Sequence, residues 1–84
     1  MSSIKIGRKP VRSYILPVMA ELMKNGSATI EARGMLIYRA VDVAEIVKRT
    51  NDVSSDVSIG SVELESDGKK RRISTISITL TTEE

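Results

Sequence analysis

Leu64-Glu65-Ser66-Asp67-Gly68-Lys69-Lys70-Arg71-Arg72-Ile73-Ser74-Thr75-Ile76-Ser77-Ile78-Thr79-Leu80 decides how the second half of this chain folds. Asp67-Gly68 is the dipeptide of a tight two-residue hairpin turn, because both central positions of that turn need a left-handed backbone. After the turn, Ile76, Ile78 and Leu80 alternate with Ser77 and Thr79, the pattern of a half-buried strand rich in β-branched residues. Before it, Val57 and Ile59 alternate in odd register and Val62 and Leu64 in even register. Keeping both pairs on one core face requires an extra residue, so a β-bulge is predicted at Gly60-Ser61. Between Leu64 and Ile73 every side chain is polar or glycine, so this part of the hairpin should project into water.

Working back from the hairpin, Ser54-Ser55-Asp56 and Asn51-Asp52 read as a connecting loop. Leu36, Ile37, Ala40, Val41, Val43, Ala44, Ile46 and Val47 place a helix over about 36–49, with an apolar face wider than a surface helix needs. Glu45 and Arg49 are spaced as an exposed ion pair on it. Thr29 to Arg33 alternates as a strand ending at Gly34. Val11, Tyr14, Ile15, Val18, Met19, Leu22 and Met23 follow helical spacing, with Pro10 at the first turn and Asn25-Gly26 as the C-terminal cap. Pro17 interrupts this helix's hydrogen bonding and is expected to kink it. Ile4-Lys5-Ile6 opens the chain as a short strand. The order β-α-β-α-β-β predicts a two-layer α+β sandwich, with two helices on a four-stranded sheet and a projecting hairpin, as a single domain over 1–84.

Within 84 residues, 40% hydrophobic and 29% charged, there is room for one small core. The chain has no cysteine and no histidine, which removes disulfides, thiolate zinc sites and imidazole-based nucleophile activation. Aromatics are limited to Tyr14 and Tyr38, so base-stacking platforms are nearly absent. No apolar run approaches the ~20 residues of a membrane span, and no signal peptide is legible. A soluble, cytoplasmic, non-enzymatic domain without cofactor or metal is expected.

The net charge of +2 conceals a segregation. Residues 1–49 carry nine bases against four acids, a net +5, and residues 50–84 four bases against seven acids, a net −3. All four later bases are adjacent, at Lys69, Lys70, Arg71 and Arg72. Such clustering suits a polyanion-binding surface, and a slim cationic ribbon fits a nucleic-acid groove. The plain alternative is a solvated hairpin in which Glu63 and Glu65 pair with the bases across the strands. The second cluster is Gly7-Arg8-Lys9-Pro10 with Arg12, a basic loop entering a helix N-terminus, where backbone N–H groups favour phosphate. Arg33 beside Gly34 marks another helix start, and Arg39 on the second helix completes the candidate set. Asp42 and Glu45 read as a solvated helix face, Ser74 to Thr82 as sheet surface, and the methionines as core filler.

These residues also carry a family resemblance. Ile6-Gly7-Arg8-Lys9-Pro10-Val11 with Tyr14, Ala32-Arg33-Gly34 with Ala40-Val41-Asp42 and Glu45-Ile46-Val47, and Ser66-Asp67-Gly68 with Arg72-Ile73-Ser74-Thr75-Ile76 resemble the Alba chromatin proteins of archaea from about Ile4 to Leu80. The resemblance implies a fold like the C-terminal domain of translation initiation factor three and a homodimer binding double-stranded DNA with little sequence preference. It also implies RNA as a further ligand, and DNA packaging on the chromosome. Contacts would come from Arg8, Lys9 and Arg33, and from hairpin arms bearing Lys69 through Arg72 in the minor groove; Lys9 would be an acetylation site. The same resemblance leaves room for a heterodimer with a paralogue, and implies neither a membrane nor a small-molecule substrate. Three departures stand out: Met35 follows the Arg-Gly pair where a base is usual, Glu31 replaces a frequent lysine, and Thr50-Asn51-Asp52 lacks the phenylalanine that packs some members together along DNA. An RNA chaperone or ribonucleoprotein subunit, and a protein-interaction module, are the rival expectations.

Overall fold

The Asp67-Gly68 turn forms as its chemistry dictates. Asp67 and Gly68 both adopt left-handed backbone, φ 52° and 74°, joining strand β3 (Val53–Ser66) to strand β4 (Lys69–Thr82). The computed structural model describes residues 3–83. The remaining elements are β1 (Ser3–Lys5), α1 (Arg12–Asn25), β2 (Ser27–Arg33), a 3-10 turn over Gly34–Leu36 and α2 (Ile37–Thr50). The expectation that the methionines fill the core, where it concerns Met1, lies outside the described residues.

The sheet runs β1-β2-β4-β3. β1 and β2 are parallel, joined by α1 as the crossover such a pair needs, and the other neighbours are antiparallel. Both helices cover one face. Ala28, Ile30 and Ala32 of β2 and Ile76, Ile78 and Leu80 of β4 meet Val18 and Leu22 of α1 and Ala40, Val43, Ala44 and Val47 of α2 there. The expected α+β sandwich is therefore present. Ile30, Leu80, Val18, Val43 and Val47 lie fully inside it, each contributing about 1.5–3 kcal/mol by leaving water. The opposite sheet face has no layer upon it and is floored by Ser and Thr, with Thr29 Oγ1 3.2 Å from Thr79 Oγ1.

Several local expectations are corrected. β3 and β4 pair one to one from Val53↔Thr82 to Ser66↔Lys69, so no bulge occurs at Gly60-Ser61. Val57 and Ile59 oppose Ile78 and Ile76 on the helix-covered side, whereas Val62 opposes Ile73 on the other. A free ribbon packs cross-strand neighbours on both faces, so its apolar residues need not share a side. Ser54-Ser55-Asp56 lie inside β3 rather than in a loop. α1 starts at Arg12, with Pro10 in the preceding turn accepting from Ser13 N–H at 2.9 Å. It continues unbroken through Pro17 to Gly26, whose φ of 77° and N–H bond to the Leu22 carbonyl make the expected cap. Glu45 lies 4.0 Å from Lys48, not paired with Arg49. Met23 and Met35 are exposed, and only Met19 packs partly against the core.

Candidate nucleic-acid interface

The basic loop is held in shape from beneath. Ile6 is buried and its N–H donates to the Glu31 carbonyl at 2.8 Å. One residue on, Gly7 N–H donates to the Tyr14 hydroxyl at 2.8 Å. The approach is close enough that a Cβ at Gly7 would stand 3.2 Å from that oxygen. Arg39 reaches across from α2 and donates from Nη1 to the Lys9 carbonyl at 2.6 Å. Arg8, Lys9 and Pro10 are thus exposed on a loop pinned at both ends. Arg12 follows in the first turn of α1, which contains no acid and has no side-chain cap. The positive end of the helix dipole therefore adds to the cations, although the Ser13 and Tyr14 N–H groups are already taken by the Pro10 and Val11 carbonyls. Periodicity placed Tyr14 in the core; that its hydroxyl organises the loop is visible only in three dimensions.

Arg33 ends β2, exposed, two residues beyond the Glu31 to which Ile6 is bonded, so it flanks the start of the loop. Gly34, φ 60°, turns the chain into the 3-10 turn and approaches the base of the hairpin, where its missing Cβ would lie 3.5 Å from Ile73 Cγ2. The loop, Arg33 and Arg39 therefore gather at one end of the molecule. Exposed Tyr38 stands one residue before Arg39, an aromatic that the sequence reading counted only as composition.

The hairpin is the other cationic element, and its register divides the tetrad. Glu63 opposes Arg72 and Glu65 opposes Lys70. By alternation from buried Ile76 and Ile78, these four side chains lie on the helix side of the ribbon. The contact there is diagonal, Lys70 Nζ to Glu63 Oε1 at 3.8 Å, between well-exposed side chains. Lys69 and Arg71 lie on the open side, opposite Ser66 and Leu64. Half the tetrad thus faces acids, as in a solvated hairpin, and half presents uncompensated charge beside the apolar cluster of Val62, Leu64 and Ile73. From the helix side, Ile59 at 77% and Val57 at 52% exposure extend the core face past the edge of α2, where Val41 is also exposed. A groove of about 150 Å³ runs between α2 and β3.

Among the described residues no group of three or more His, Cys, Asp or Glu could hold a metal ion, and no helix is long and apolar enough to cross a membrane.

The sequence profile of the Alba family matches residues 2–63. The chain belongs to the Alba family. It is 42% identical over 81 residues to the DNA/RNA-binding protein Alba of Nitrosopumilus maritimus, covering 90% of this chain and 85% of that one. It is 40% identical over 85 residues to the DNA/RNA-binding protein Alba 1 of Archaeoglobus fulgidus, covering 94% and 93% of the two chains. Among solved structures, Alba from Thermoplasma volcanium superposes with a TM-score of 0.85 at 32% identity, covering 95% of this chain and 99% of that one. The Alba fold is therefore shared over nearly the whole chain.

Proposed function

We propose that this Alba-family chain binds double-stranded DNA with little sequence preference as a homodimer and packages chromosomal DNA in the cytoplasm. The observation that carries the reading is the pinned basic loop at an acid-free helix start, with Arg8, Lys9 and Arg12 free to meet phosphates. Arg33, Arg39 and the hairpin add to it, and the relatives named above are DNA/RNA-binding proteins by name. Phosphate contacts supply affinity and carry no sequence information. The role is binding rather than catalysis.

The homodimer rests on Val41, Val57 and Ile59, an exposed apolar strip continuous with the core. A second copy related by a two-fold axis would cover it with the same strip, and a paralogue with a similar strip would form a heterodimer. Lys9 is the lysine whose acetylation would weaken binding, since its charge is exposed and its backbone is fixed by Arg39. RNA is the second reading, favoured by the names of those same relatives.

Competitive binding of matched duplex DNA and structured RNA over a salt series tests the proposal. A dimer neutralising about six phosphates loses roughly 10³-fold in affinity between 50 and 200 mM salt. Duplex DNA should win or tie. A clear preference for RNA would move the function to RNA metabolism, and failure to bind either would leave a protein-interaction role.

A further inference from the structure

Met35 is the most exposed large apolar side chain among the described residues, at 89%. Its backbone, by contrast, is fixed. Gly34 takes the left-handed φ of 60° that turns the chain out of β2, and the Ile37 N–H closes the 3-10 turn on the Gly34 carbonyl. Leu36 and Ile37, the next two side chains, pack against the core. Met35 therefore stands out from a rigid corner.

That corner lies between the two cationic elements of the chain. On one side Gly34 abuts the base of the hairpin at Ile73. On the other, Arg39, four residues on and on the same side of the helix start, donates to the Lys9 carbonyl of the basic loop. Arg33 immediately precedes Met35 and is exposed. A duplex that meets the loop and the hairpin together must pass over this turn, where it finds an uncharged thioether among cations. A phosphate gains nothing from that group. Sugar rings and base edges offer it apolar surface, and three rotatable bonds with a polarisable sulfur fit methionine to an irregular groove wall. Minor-groove binders seat apolar side chains of this kind, methionine among them, against base steps.

We propose that Met35 is this chain's apolar contact with the duplex, packed in the minor groove between the phosphates held by the loop and by the hairpin, and that oxidation of its sulfur loosens the grip. The proposal rests on the duplex-binding function stated above. It adds to that site a component that salt does not weaken, since an apolar contact displaces no counterion. The chain has four methionines and no cysteine, so thioethers are its only sulfur. Hydrogen peroxide transfers one oxygen atom to the Met35 sulfur and leaves as water; the sulfur is oxidised and the peroxide reduced. The sulfoxide is polar, so the contact is lost, while the fold buries almost none of this side chain and is untouched. Met23 is the control within the same chain. At 87% exposure it is as open to oxidant, but it lies eleven residues along α1 from Arg12, about 16 Å from the loop end of the helix.

The test measures duplex DNA binding over a salt series for the unaltered protein, Met35→Ala, Met35→Lys, Met35→Leu and Met23→Leu, before and after hydrogen peroxide. Thermal denaturation and sedimentation are the controls. Met35→Ala should bind about tenfold more weakly at every salt concentration with an unchanged slope, near the lower end of what burying a methionine is worth. Met35→Lys should steepen the slope by about 0.9 per chain. Peroxide should reproduce the tenfold loss in the unaltered protein and in Met23→Leu, and methionine sulfoxide reductases should reverse it. Met35→Leu should bind tightly and ignore the oxidant. Undiminished binding by Met35→Ala would overturn the inference and leave the duplex reading intact. So would a loss that vanishes at high salt, or a Met35→Leu protein as sensitive to peroxide as the unaltered one. A monomeric Met35→Ala would overturn it by placing the residue between the two chains. Failure of the unaltered protein to bind duplex DNA at any salt would refute the function proposed above and this inference with it.

Discussion

Removing two of the four hairpin bases should have unequal consequences depending on which two are chosen. Lys69→Ala with Arg71→Ala strips the open side of the ribbon, where Ser66 and Leu64 stand opposite and no acid compensates. Lys70→Ala with Arg72→Ala strips the side facing Glu65 and Glu63. Both variants change the net charge by two, so a mechanism based on overall charge treats them alike. If the open pair meets two phosphates per arm, its loss lowers the slope of log affinity against log salt by about 1.8 per arm, or roughly 60-fold in affinity at 0.1 M salt relative to 1 M. The acid-facing pair already has counterions in the hairpin, and its removal should shift the slope by less than about 0.5 per arm. Exposed ion pairs such as Lys70–Glu63 are worth about 0–1 kcal/mol, so neither variant should unfold the protein. Fluorescence anisotropy with duplex DNA over a salt series, with thermal denaturation as control, measures all of this. Equal slopes for the two variants would refute the division of the tetrad by face.

Lys9→Gln, which mimics acetylation, should cost one phosphate contact and lower the salt slope by about 0.9 per chain; a titration indistinguishable from wild type would make Lys9 peripheral. Tyr14→Phe removes the acceptor of the Gly7 N–H and should cost about 1 kcal/mol of stability. Duplex affinity should fall severalfold in the same variant, read by calorimetry and binding together; full affinity would mean that the loop keeps its shape without the hydroxyl. Ile59→Asp places a charge in the exposed apolar strip and should shift the sedimentation coefficient to that of a monomer, whereas an unchanged dimer would locate the interface elsewhere.

Much of the architecture was legible because local chemistry repeats with local period. Tyr14, Val18 and Leu22 mark the buried face of α1, and Ile76, Ile78 and Leu80 that of β4. The bulge at Gly60-Ser61 was misjudged because a change of alternation has two causes, an inserted residue or a change of the face that is apolar. Val62 and Leu64 pack on the open side of the ribbon with Ile73, which lies nine or more residues away along the chain. The breadth of α2 was legible, but its meaning was not: Val41 belongs to a surface beyond the single chain's own core. The candidate site was read as three lengths of basic sequence, whereas the loop proves to be one unit built by Tyr14 and Arg39.

Sequence alone determined the order of elements, the Asp67-Gly68 turn, the Gly26 cap and the position of each charge along the chain. These depend on φ preference and on the periods of 2 and 3.6, which act over a few residues. Only the tertiary structure decided which charges share a face. Lys69 and Arg71 are separated from Lys70 and Arg72, Glu31 is left unpaired beside Lys5, and Lys9 is held by Arg39 thirty residues away. Those relations follow from strand register and helix packing, which are set by burial summed over the whole core and not by any neighbouring residue.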